Sequence, residues 1–392
     1  MPEAPSRRAW AEVDLDAVRH NTSVLAELAS PAALCVVVKA DAYGHGMVQV
    51  ARAALEAGAT WLAVAVVEEG AALRQVGIAA PVLLLSEPPP EAMAAAVAAR
   101  LTPTVYTRRG VEAAAAAAGR GRAPVSVHLK VDTGMHRAGA DLDDAVEVAR
   151  AVDRARGLRL EGLWTHLAVA DDPGQDAYTA GQLERFEEAR DRLAAAGLQP
   201  PLLHAANSAG AIAHPASRYD MVRCGIAVYG HPPSPALAGR ADLRAALSLK
   251  AEVALVRQLP AGERISYGRR YEVGRPSTVA TVPLGYADGV PRRLSSVGGS
   301  VLVGGRRRPL AGTVTMDQIM VDCGDDRSVA IGDEVVLIGR QGDAEVPAEE
   351  WAERLDTISY EILCGIGPRV ARVYRQDSVV DEVGPQGALD RA

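Results

Sequence analysis

Between residues 14 and 230 the chain repeats one pattern: a short apolar run, then an alanine-rich amphipathic segment. Eight runs fall at 34–38, 61–64, 82–85, 101–105, 125–131, 158–165, 202–205 and 219–223. The clearest helical spacers are 46–58, 68–76, 91–100, 109–119, 142–156 and 176–196. A strand reaches a parallel neighbour only by a crossover, so this alternation implies parallel strands covered by helices. Eight such units suit an α/β fold built as a closed (β/α)8 TIM-type barrel better than an open doubly wound sheet. No G-x-G-x-x-G turn follows the first run, which also weighs against the open sheet.

The pattern stops after Gly230. HPPSPALAGR reads as a Pro/Gly linker. Beyond it, strand-like runs at 247–258, 277–282, 300–303, 319–322 and 334–338 are separated by Gly, Pro and Asp turns. We therefore expect a barrel over 14–235 and a C-terminal all-β domain over 245–380. The N-terminal run 8–14 is expected to pair with that second domain.

Composition narrows the class. Apolar residues make up 48% and charged residues 23% of 392, enough for a sizeable core. The net charge of -7 and the absence of a basic stripe argue against nucleic acid as a partner. The one basic run, Arg306, Arg307 and Arg308 between Gly305 and Pro309, reads as a solvated turn. No stretch approaches the roughly 18 consecutive apolar residues of a membrane span. MPEAPSRRAW has no secretory apolar core, so a cytoplasmic location is expected. Cys35, Cys224, Cys323 and Cys364 are scattered and read as buried free thiols. With no C-x-x-C or H-E-x-x-H spacing, no catalytic metal is expected.

Barrel enzymes build their sites at the C-terminal ends of the strands. Lys39 follows the first run directly, where a partly desolvated amine can form a Schiff base. A snorkelling lysine would look the same in isolation. The fifth run ends in Lys130, with Asp132, His136 and Arg137 just beyond. The sixth ends at His166, the seventh at Asn207 and Ser208, and the eighth at Arg223, with Gly225 and Ile226 following. Ser208 and the N–H groups near Gly225 and Ile226 could hold a phosphate. Asp132 reads as a turn brace.

At this point the chain resembles the alanine racemases. VVVKADAYGHG, KVDTGMHRAG, THLAVAD, HAANSAG, VRCGIAVYG, RISYG, PLGYADG, TMDQIMVD and TISYE occur in the family order, from near residue 10 to about 375. The resemblance implies a pyridoxal 5'-phosphate (PLP) barrel plus a β domain, assembled as a homodimer with shared active sites. It implies racemisation of L- and D-alanine, supplying D-alanine for the cell wall. Lys39 would carry PLP and act as one acid/base group. Tyr267 would be the other, reaching into the partner subunit's barrel. Tyr43, Ser208, Ile226 and Tyr360 would hold the phosphate, with Asn207 and Gly225 beside them. Arg223 would face the pyridine nitrogen, and His166 would connect it to the tyrosine. Arg137 would bond the cofactor's phenolic oxygen and the substrate carboxylate. Met316 and Asp317 would touch substrate across the interface, and Lys130 would be carbamylated, bracing Arg137. Asp171, Tyr286 and Arg292 would line the substrate passage. Many relatives carry Arg three residues before the Met of M-D-Q; this chain has Thr313, so a cation is expected to be missing there. A serine or broad-specificity racemase on the same scaffold remains the alternative, with a non-catalytic PLP-homeostasis protein further off.

Two acid/base groups suit the reaction itself. The α-proton must leave one face of the α-carbon and return on the other, and PLP draws off the negative charge left between those events. Lysine and tyrosine have neighbouring unperturbed pKa values, so their surroundings can bring either into use near neutrality.

Overall fold

After an N-terminal strand, β1 (Ala9–Asp14), the eight apolar runs become strands β2 (Ala33–Val37), β3 (Trp61–Val64), β4 (Val82–Leu84), β5 (Thr104–Val105), β6 (Val125–Lys130), β7 (Leu158–Trp164), β8 (Leu202–His204) and β9 (Met221–Cys224). The computed structural model describes residues 7–119, 123–376 and 379–383. Strands β2 to β9 are all parallel, in two runs ordered β4-β3-β2-β9 and β5-β6-β7-β8. A parallel bridge between Leu83 and Thr102 joins the runs on one side. On the other, Asp220 N donates to Leu203 O and Arg223 N to Ala206 O. The sheet thus closes into an eight-stranded barrel. Its strands are buried on both faces, which is why they read as continuous apolar runs rather than alternating ones.

The spacers are helices. In Leu142–Arg154, Ala145, Val148, Ala149 and Val152 form the buried stripe, while Asp143 and Asp144 in the first turn and Arg154 in the last suit the helix dipole. The barrel residues Ala17–Ala42 and Met47–Arg244 form one of two compact units. Among the described residues, none of the helices is long and apolar enough to cross a membrane.

Tyr43–Gly46 belongs to the other unit, together with the described parts of Met1–Asp16 and Ala245–Ala392. In that unit β1 pairs antiparallel with β10 (Leu247–Glu252) and parallel with Ala371–Gln376. Ala9, Ala11 and Val13 point into the core, so the N-terminal run is an interior strand of the β sheet. The run expected as one strand over 247–258 is two: β10 pairs with Glu334–Gln341, while Leu255–Leu259 joins Ser277–Val282 in a different sheet. The domain is sheet-rich but also carries two short helices, Ala348–Leu355 and Ser359–Cys364. Arg306–Pro309, expected as a turn, is an edge strand against Ser300–Val303. The turn is made by Gly304 and Gly305 at positive φ, and charged side chains on an edge discourage further pairing. Of the thiols, Cys35, Cys224 and Cys323 are buried and Cys364 is exposed, against expectation for the last.

Candidate active site

The barrel mouth is shaped first by an unusual backbone. Ala40, Asp41, Ala42 and Tyr43 all have φ between 50 and 54°. A left-handed turn costs L-residues roughly 1–2 kcal/mol each, so this run must be held from outside. Glu69 accepts from Ala40 N at 2.6 Å, and Asp41 accepts from Met47 N at 2.8 Å. Gly44 and Gly46 continue the positive-φ path; a Cβ on Gly44 would lie 2.5 Å from Leu363 O. Lys39, half-buried, opens this strained turn right after the buried Val38.

Arg223 is 3% exposed. Its Nη1 donates to His204 Nδ1 at 2.9 Å, and its Nη2 to Thr165 O at 2.8 Å and Ala205 O at 3.0 Å. His166 Nδ1 lies 3.4 Å from the same Nη2. Trp164 sits 4.5 Å from the guanidinium, and His204 stacks on that indole with an interplanar angle of 8°. Carbonyls, imidazole and a π face thus replace water around the cation, with no carboxylate in the ion-pair range among the described residues. Burial holds Arg223 down to about 10, so it remains charged at neutral pH.

Lys130 is 4% exposed, with its ammonium 4.5 Å from the Trp164 ring. Burial first, then Arg223 and Arg137, lowers it to about 8. His166 is held well below its ordinary value by burial, then by Arg223, Arg137, Lys130 and Lys39. Four cations therefore act on one neutral imidazole. Asp132, which acts on Lys130, is engaged with the backbone: its Oδ1 accepts from the N–H groups of Gly134, Met135 and His136 at 2.9–3.0 Å. That nest positions the loop carrying Arg137.

At the last two strand ends, Asn207 caps helix Ser208–Ala213, accepting from Gly210 N at 2.9 Å. Ser208 Oγ accepts from Gly225 N at 2.9 Å. The Gly225 N–H, read as one that could hold a phosphate, is thus already engaged, and Ile226 opens the following 3-10 turn. Asp171 offers its backbone carbonyl to Ser234 Oγ at 2.6 Å.

The rings of Tyr43 and Tyr360 lie 6.0 Å apart. Burial, with Tyr360 and Cys364 nearby, pushes the Tyr43 phenol up. Tyr267 sits in the turn of a small hairpin between Arg264–Ile265 and Tyr271–Glu272 and is 71% exposed. Thr313 is buried: its Oγ1 donates to Tyr267 O at 2.9 Å, and Ser266 Oγ donates to Thr313 O at 2.8 Å. Met316 and Tyr286 are exposed, and their loops are tied by Tyr286 N to Thr315 O and Ala287 N to Met316 O. Asp317 pairs with Arg369 at 2.7 Å; Arg369 and Arg7 both reach the buried Asp288. Arg292 is exposed.

Several participants escaped sequence reasoning. His204 and Trp164 lie inside apolar strands, and Glu69 and Asp288 act by bracing backbone. The position of His204 just before Asn207 and Ser208 was the available signal for it.

The chain matches the family models for the alanine racemase N-terminal domain over residues 13–233 and the alanine racemase C-terminal domain over 246–374. The chain belongs to the alanine racemase family. The enzyme of Symbiobacterium thermophilum is 50% identical over 94% of this chain and 97% of its own length. The solved alanine racemase of Bacillus anthracis with bound L-Ala-P superposes with a TM-score of 0.91 at 39% identity, covering 97% of this chain and 99% of that one. That of the D-cycloserine producer Streptomyces lavendulae gives 0.89 at 40% identity, covering 95% and 98%. The chain is an isomerase, and alanine racemisation is its reaction.

Proposed function

We propose that this member of the alanine racemase family exchanges the α-proton of alanine between Lys39 and Tyr267 with PLP as cofactor. The observation that carries the reading is the excess of cations around His166. Lys39, Lys130, Arg137 and Arg223 act on one site, and Asp132, which acts on Lys130, is engaged by the backbone. Such a donor set fits an anionic group, and PLP brings a phosphate and a phenolate. When bound, it supplies the electron withdrawal that acidifies the α-carbon.

The chain's own residues do the rest. Lys39 carries the cofactor and takes or returns the proton on one face. Tyr267 does so on the other, entering the partner subunit's barrel in a homodimer; its 71% exposure in a single chain supports this. Arg223 donates to the ring nitrogen, and His166, held neutral, links Arg223 toward Tyr267. The phosphate is assigned to Ser208 and Ile226 and to the phenols of Tyr43 and Tyr360, with Gly225, which donates to Ser208 Oγ, beside them and Asn207 as the cap that orients Ser208. Arg137 takes the phenolic oxygen and the substrate carboxylate, and Met316 and Asp317 close the substrate pocket. Asp171, Tyr286 and Arg292 line the approach. The enzyme works in the cytoplasm and feeds D-alanine to the cell wall.

Borohydride reduction of the holoenzyme should leave the cofactor on the peptide containing Lys39. A label on Lys130 or Lys250 instead would reject the assignment. Lys130 is proposed to be carbamylated and to brace Arg137. Carbamylation needs the neutral amine, and a pKa of about 8 leaves about half of Lys130 neutral at pH 8, against less than about 1% for an ordinary lysine. Carbon-13 NMR of holoenzyme in labelled bicarbonate should show a carbamate resonance that Lys130→Ala abolishes; a signal that persists in the variant contradicts it.

A further inference from the structure

From Arg223 a line of polar side chains runs through the barrel, away from the proposed site. Beyond the Arg223–His204 bond, His204 Nε2 lies 2.9 Å from His128 Nδ1. His128 Nε2 in turn faces Glu161 Oε2 at 3.5 Å. Both imidazoles are fully buried. Glu161 borders a recess of about 480 Å³ that also takes in Trp61 and Val125, the first residues of β3 and β6. The line therefore ends at the N-terminal end of the barrel, opposite Lys39. Glu161 is otherwise bonded to Arg159, which also donates to Ser126 Oγ.

The hydrogen-bond arithmetic gives the line a direction. A guanidinium only donates, so His204 Nδ1 must accept. Burial keeps both rings neutral, so His204 carries its proton on Nε2 and donates to His128 Nδ1. His128 then carries its proton on Nε2, and no acceptor reaches it within hydrogen-bond geometry among the described residues. The one facing it is the carboxylate of Glu161, which accepts without donating. An imidazole alone could run the line either way; the arginine and the carboxylate at its two ends set one sense.

We propose that Glu161 and His128 are positioning residues: they fix His204 in the tautomer that accepts from Arg223 and so hold the guanidinium in its orientation. This rests on the role given to Arg223 above. The alternative is two histidines that merely fill the barrel core. Core filling would make their loss destabilising but would not transmit a change at Glu161 to His204.

The test is long-range proton–nitrogen NMR on histidine-labelled holoenzyme, with kcat, KM and thermal unfolding measured alongside. In the wild type both His128 and His204 should be neutral with the proton on Nε2. Glu161→Gln keeps an acceptor and should keep both tautomers, with kcat within about threefold of wild type. Glu161→Lys presents only donors; it should displace the proton of His204 from Nε2 and lower kcat about tenfold or more, with KM little changed. A wild-type His204 protonated on Nδ1 overturns the proposal. So does a Glu161→Lys protein whose His204 signals are unchanged, or one whose tautomer flips without loss of kcat. If Glu161→Lys fails to fold, the wild-type spectrum alone decides. A protein with the expected tautomers but no racemase activity would instead reject the functional reading.

Discussion

Lys39→Ala and Tyr267→Ala proteins, each inactive alone, should recover roughly a quarter of wild-type activity when mixed under subunit exchange. The expectation follows from where the two groups lie. Lys39 follows strand β2 of the barrel unit, and Tyr267 sits on a hairpin turn of the other unit, 71% exposed. Met316 and Tyr286 in the same unit are 51% and 42% exposed. Such exposure of large apolar side chains agrees with the homodimer proposed above. Loss of an acid/base group costs a factor on the order of 10²–10⁴, and loss of the cofactor-bearing lysine more. After random exchange about half the dimers are hybrids, and each hybrid holds one site with both groups and one with neither. Complementation by this arithmetic is a near-zero to one-quarter change. No recovery, once exchange is proven by mass, would mean that each site is built within one chain.

Arg223→Glu should shift the enzyme from racemisation toward transamination. The guanidinium stays charged even with burial holding it to about 10. In the role proposed for it, this permanent donor would disfavour a proton on the cofactor's ring nitrogen and so limit how far the α-carbon's negative charge spreads. The α-carbon would then be reprotonated quickly. Glutamate in its place can share a proton with the nitrogen, so the charge spreads and lasts longer, and a proton can return to the wrong carbon. Racemisation should fall on the order of 10²-fold, and the ratio of pyruvate to racemised alanine should rise about tenfold or more. The lost bonds to His204, Thr165 O and Ala205 O will slow racemisation on their own. The ratio, rather than the rate, is therefore the readout. An Arg223→Glu protein that folds, binds PLP and leaves that ratio unchanged contradicts the electronic role.

The strand ends were legible because parallel barrel strands are buried on both faces, and the first polar residue after each run marks where the chain leaves the core. Lys39 and His166, just past such runs, and Lys130 and Arg223, at the close of theirs, were singled out as candidates in this way. The left-handed run from Ala40 to Tyr43 was not, since alanine, aspartate and tyrosine give no local signal for positive φ. Its cause is tertiary, through Glu69 and Asp41. The split of 247–258 into two strands was hidden for a similar reason, because periodicity does not say which sheet a strand joins. His128 and Glu161 sit within strands, where a polar residue reads as an interruption of the apolar pattern. Their meaning comes from register: His128 pairs with Gly162, beside Glu161, across β6 and β7. Thr313 read as a missing cation, and nothing in the sequence signalled that its side chain ties the Tyr267 turn.

Lys39 and Tyr267 are proposed to serve opposite faces of the α-carbon. The test is exchange of the α-proton in deuterated water, followed separately from L- and D-alanine in Tyr267→Ala holoenzyme. Exchange from L-alanine should fall on the order of 10²-fold or more, while exchange from D-alanine, served by Lys39, should persist within about tenfold of wild type. Equal loss from both enantiomers would contradict the division of labour.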